Sequence, residues 1–146
     1  MQVCRILAGT KGDEVENNVF RVSSRINSTW GGSLVDMVRS SKIMEIIEED
    51  NLCDNAAVVG EYLQNGLLKI AERNSIIYNV RGKGLLTAFD FPDKARREKF
   101  IKEGMDRNIM FLGCGNKTIR FRPALIMDKD HIDEGLNALE KILSIL

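Results

Sequence analysis

The sequence predicts an α+β domain, and three observations carry that reading. Residues 34–47 and 52–73 each repeat apolar side chains at helical spacing over more than ten positions. LLTAFDF (85–91) and TIRFR (118–122) are short, rich in apolar and β-branched residues, and bounded by glycine or proline. The last stretch places Ile132, Leu136, Leu139, Leu143 and Leu146 at steps of four, three, four and three. From residue 32 the expected order is α-α-β-α-β-β-α, which packs as a small antiparallel or mixed sheet covered by helices.

Each element has a local reason. QVCRILA (2–8) reads as a strand ending at Gly9, and a polar segment from Thr10 to Ser28 follows. So long a connection tends to be functional or to cross to a neighbour. The first helix sets Leu34, Val35, Met37, Val38, Met44 and Ile47 against Arg39, Lys42, Glu45 and Glu48. Asp50-Asn51 ends it and can cap the second helix, which runs to about Arg73. VRGKG (80–84) reads as a turn or bulge before the strand LLTAFDF. Pro92 is expected at the first position of the third helix, with Asn108 as its left-handed stop. IMFL (109–112) and TIRFR then flank a turn GCGNK (113–117), and Asp128 to Asp130 open the last helix.

Composition narrows the function. The chain has 146 residues, 44% hydrophobic and 29% charged, an ordinary globular balance. Its 21 basic and 21 acidic residues cancel, which gives no support to nonspecific binding of nucleic acid or anionic membrane. Cys4, Cys53 and Cys114 fit neither a disulfide framework nor a zinc pattern. With no apolar run of membrane-spanning length, the expectation is a soluble, cytoplasmic protein without a metal site.

Two places could carry chemistry. Along TIRFR the side chains alternate, so Ile119 and Phe121 face the core while Arg120 and Arg122 share the other face. Paired guanidiniums suit a carboxylate ligand, although a solvated face paired with nearby Asp or Glu is the commoner arrangement. INSTWGG (26–32) puts Ser28 and Thr29 before Gly31-Gly32 and a helix, which suits an anion such as phosphate or a plain N-terminal cap. Gly82-Lys83-Gly84 lacks the spacing of a phosphate loop. His131, the only histidine, is expected exposed, without a partner and structural. No nucleophile–base pair emerges from these residues.

INSTWGG, VRGKGLLTAFDF (80–91) and GCGNKTIRFRPAL (113–125), in that order, resemble the class III aminotransferases. MQVCRILAG and NVFRVSSRINSTWGGSLVDMVRS (18–40) are most similar to the lysine 6-aminotransferase branch, with 4-aminobutyrate aminotransferase next. The resemblance covers essentially the whole chain. It implies fold type I, dependence on pyridoxal 5'-phosphate, and transfer of an amino group from L-lysine to 2-oxoglutarate.

Residue by residue, the resemblance implies that Thr29, with Ser28 beside it, reaches across a dimer interface to the cofactor phosphate. It implies that Arg120 grips the substrate α-carboxylate, with Arg122 as support and Asn27 near the same site. Family members are much longer than this chain, and their Schiff-base lysine precedes the segment matching residues 1–8. The expectation is therefore a C-terminal portion: residues 1–31 ending the large domain and its interface loop, and residues 32–146 forming the small domain. Such a portion is expected to bind the cofactor weakly or not at all, to be inactive alone, and to form a homo-oligomer or need the missing segment. Arg5, where relatives carry glycine, and Ser33-Leu34, where many carry Asn-Pro, are departures. A stand-alone module that binds a carboxylate or mediates dimerisation, without catalysis, is the alternative.

Overall fold

The computed structural model describes Gly12, residues 14–18, Arg21, Arg25, Thr29 and residues 33–146. The strand expected over 2–8, most of the loop expected over 10–28, and the departure at Arg5 lie outside the described residues. The chain divides into two units, Met1–Ile46 and Ile47–Leu146.

The first unit contains a turn around residues 14–17 and most of helix α1 (Leu34–Glu49). Ser33 opens α1 through a long contact of 3.4 Å from the Asp36 N–H to its hydroxyl. The stripe expected on this helix is not buried: Leu34 is 75% exposed and Val38 71%. Ile43 and Ile46 are exposed as well, and they place apolar surface outside the expected stripe. The helix is apolar around much of its circumference, and one core face does not describe it.

The second unit runs through helix α2 (Leu52–Arg73), strands β1 (Tyr78–Lys83) and β2 (Leu86–Asp90), and helix α3 (Lys94–Met105). Strands β3 (Leu112–Cys114) and β4 (Thr118–Phe121) and helix α4 (Lys129–Leu143) complete it. The four strands form one antiparallel sheet in the order β1-β2-β4-β3. This confirms the α+β class and adds a strand. The segment read as a turn or bulge at VRGKG lies in β1 as far as Lys83, after an irregularity between Tyr78 and Arg81, and turns at Gly84; β1 pairs with β2 through Arg81↔Ala88, Gly82↔Thr87 and Lys83↔Leu86. Its polar, glycine-bearing sequence hid it, because only pairing with β2 makes a strand of it.

Other boundaries move for physical reasons. Pro92, expected at the first position of α3, precedes the helix: α3 starts at Lys94 and Asp93 caps it, its carboxylate accepting from the Arg96 N–H at 2.8 Å. Asn51 stands at the cap of α2 in the left-handed region (φ 50°), so its side chain makes no capping hydrogen bond. The strand expected at 109–112 shifts to β3, leaving only 115–117 for the turn, where Gly115 takes φ 57°. Asn108 does adopt the left-handed conformation expected of it (φ 60°).

Helices α2, α3 and α4 share one core with one face of the sheet. Val59, Leu63, Leu67 and Ile70 come from α2, and Ile132, Leu139, Ile142 and Leu143 from α4. Between them sit Phe89, Phe91, Phe100, Phe111 and Phe121, with ring centroids 4.5–6.2 Å apart and several edge-on. The β1–β2 turn meets α2 through backbone alone: a Cβ at Gly60 would lie 2.1 Å from the Gly84 carbonyl carbon. Alternation then leaves Arg81, Ala88, Asp90, Thr118 and Arg120 on the opposite face of the sheet.

Candidate functional site

Arg120 lies in β4 directly opposite Ala88 of β2 on one side and Leu112 of β3 on the other. Both flanking side chains are apolar and neither can accept a hydrogen bond. The guanidinium is exposed, and among the described residues it has no hydrogen-bond or ion-pair partner. Arg122, just past the strand, is exposed and equally unengaged among them.

One row along the same face the situation reverses. Asp90, 5% exposed, accepts hydrogen bonds from Thr118 Oγ1 at 2.7 Å, Asn79 Nδ2 at 2.8 Å and Arg81 Nη1 at 3.1 Å. Burial alone would favour its neutral form. The three hydrogen bonds and the Arg81 charge outweigh that and hold its carboxyl below the usual carboxylate range. Asn79 occupies the irregular part of β1 at φ 54°, and its carbonyl accepts from Arg81 at 2.9 Å. One arginine of this face is thus neutralised and the other is open, so the commoner expectation of a fully ion-paired face does not hold for Arg120.

On the helix-covered side of the sheet a groove of about 230 Å³ is lined by Leu63, Phe111, Met127 and Leu136, and Arg120 and Arg122 contribute to its edge. No cluster of His, Cys, Asp or Glu able to hold a metal occurs among the described residues. His131 lines the same groove, and it is not free as expected: its ring nitrogen Nδ1 lies 2.5 Å from the Asp128 carboxylate that caps α4. That cap also accepts from the His131 N–H at 2.9 Å, and these contacts lower the Asp128 pKa.

The β3–β4 turn is held by a residue that sequence reasoning missed. Arg97 of α3, 8% exposed, donates to the Gly115 carbonyl and pairs with Glu98. A side chain at Gly113 would meet that guanidinium at 3.3 Å. The glycines of GCGNK therefore serve an arginine beneath the hairpin as well as the turn itself. A buried cation in a helix that reads as polar gives little sign of this in the sequence.

Thr29, in the first unit, is exposed. Ser28 and Asn27 lie outside the described residues.

The class-III aminotransferase model matches residues 6–143, and the chain belongs to that family. Among its relatives is an L-lysine-epsilon aminotransferase of Amycolatopsis lactamdurans, 43% identical over 98% of this chain and 32% of the relative. A 4-aminobutyrate aminotransferase of Dictyostelium discoideum is 35% identical over 85% of this chain and 25% of the relative. A solved lysine aminotransferase from Mycobacterium tuberculosis matches with a TM-score of 0.83 at 40% identity, over 95% of this chain and 32% of that one. The chain thus spans about a quarter to a third of the length of the curated relatives it matches. No described helix is long and apolar enough to cross a membrane.

Class-III aminotransferases are pyridoxal-phosphate enzymes. The described residues fit that group only at its edge. Thr29 is exposed, but no lysine lines the groove that Arg120 borders, and every described lysine is exposed. Asp90, the buried carboxylate of the sheet, already has both oxygens occupied and is not free for a ring nitrogen. These residues do not hold the ring.

Proposed function

We propose that this chain is the C-terminal portion of a pyridoxal-phosphate-dependent aminotransferase acting on L-lysine and 2-oxoglutarate, with Arg120 as the substrate anchor. The family membership and the similarity to proteins named lysine aminotransferases support the reaction. The observation that carries the anchor is the open guanidinium between Ala88 and Leu112, on a face whose other strand arginine is neutralised.

In the complete enzyme the cofactor would supply an electron sink at the amine-bearing carbon. Arg120 binds the α-carboxylate through two parallel hydrogen bonds and fixes the orientation of the amine or carbonyl. Arg122 strengthens the local positive field, and Asn27 lies near the same site. Thr29, with Ser28, donates hydrogen bonds to the cofactor phosphate of the partner in a cytoplasmic homodimer. Residues 1–31 close the large domain and residues 32–146 form the small one. The chain by itself holds an anion without transaminating.

A nuclear magnetic resonance titration with 2-oxoglutarate at low salt tests the anchor. Arg120→Ala should weaken binding at least about 10-fold, the value of a hydrogen-bonded charge pair. Arg122→Ala should weaken it less. Equal affinities for wild type and Arg120→Ala would remove Arg120 from this role.

A further inference from the structure

We infer that Arg81 keeps the carboxylate site open by occupying Asp90, which would otherwise pair with Arg120. The inference rests on the reading of Arg120 as anchor and makes Arg81 a positioning residue for it.

The sheet order puts β2 between β1 and β4. Ala88 of β2 faces Arg81 on one side and Arg120 on the other, and Asp90 faces Tyr78 and Thr118. Asp90 and Arg120 are therefore diagonal neighbours on one face. Such neighbours lie about 7–8 Å apart at the backbone, within reach of a long side chain. Ala88, the nearest side chain between them, ends at its Cβ and offers no wall.

Asp90 has strong reason to seek a cation. Its side chain is only 7% exposed, and a buried carboxylate without a counter-charge is costly. Thr118 and Asn79 give it hydrogen bonds but no charge. Arg81 gives the charge at 3.1 Å and is itself tethered by the Asn79 carbonyl at 2.9 Å. Lys117, another cation near Asp90, is engaged elsewhere: its ammonium lies 2.6 Å from the Tyr78 hydroxyl and 5.1 Å from that ring's centroid. Without Arg81, the unengaged cation one row away is Arg120. Its capture would close the site with an internal ion pair and leave the fold intact.

The test uses the same 2-oxoglutarate titration of the whole 146-residue chain. Arg81→Gln should weaken binding about 5-fold, as for a competing surface pair, and shift the Arg120 Nε–H resonance in the ligand-free protein. Adding Asp90→Asn to that variant should return both the affinity, to within about 2-fold, and the resonance. A purely structural role for Arg81 would lower the melting temperature without moving the Arg120 signal. Wild-type affinity in Arg81→Gln, or a loss that persists in the double variant, overturns the inference while the anchor stands. No loss in Arg120→Ala overturns the anchor and this inference with it. Should Arg81→Gln fail to fold, Asp90→Asn alone decides: removal of the competing charge must hold or tighten binding, and weaker binding contradicts the inference.

Discussion

Helix α4 buries Ile132, Leu139, Ile142 and Leu143, whereas α1, one residue longer, buries none of its side chains. Both carry apolar residues at helical intervals and both begin at a polar cap. In α4 the apolar positions fall in one stripe, in the core shared with α2 and α3. In α1, Leu34, Val35, Met37, Val38, Ile43, Met44 and Ile46 spread around the helix and stay exposed. A stripe needs one neighbour; an encircling apolar surface needs several. On the proposed reading, that cover comes from the rest of the enzyme.

The largest expected effect lies in α4. Leu139, 1% exposed, cut back by Leu139→Ala should cost about 3 kcal/mol in urea unfolding, since the fixed helices cannot collapse into the space. If the loss is below about 1 kcal/mol, the core is looser than the packing indicates. In α1 the paired change Val35→Ser and Val38→Ser should alter stability by no more than about 0.5 kcal/mol. The same change should lower self-association in sedimentation velocity, because it removes exposed apolar area. A large stability loss there would mean that α1 is packed after all.

The caps sharpen the contrast more gently. Asp128 accepts from the His131 backbone and ring, and its carboxyl pKa is lowered in the fold. A group with a depressed folded pKa stabilises above its unfolded value, near about 3.9, and loses that effect as pH falls through the folded value. The α4 cap should therefore weaken below about pH 4, and Asp128→Ala should flatten the acid limb of the unfolding curve. Ser33→Ala in α1 removes only a 3.4 Å contact and should lower helicity by the smallest amount of all, read by circular dichroism.

Much of this organisation is legible in the sequence where period or punctuation decides. The stripes of α2 and α4, the alternation Ile119-Arg120-Phe121, the left-handed Asn108 and the cap at Asp128 follow from local rules. Strand β1 does not, because Tyr78 to Lys83 is polar and glycine-bearing and gains its identity from pairing with β2. The Asp90 network escapes for a related reason: Asn79, Arg81, Asp90 and Thr118 come from three strands, and no spacing along the chain announces their meeting. Arg120 was legible as a residue type on a face. That it stays open while Arg81 is taken required the register.

On the proposed reading this chain carries part of an aminotransferase site and not the whole of one. Titration of the purified protein with pyridoxal phosphate, followed by borohydride reduction and mass spectrometry, tests it most directly. The account predicts no specific adduct and no transfer from lysine to 2-oxoglutarate. A stoichiometric adduct on a single lysine, together with turnover, would contradict it and show that the chain has assembled a catalytic site of its own.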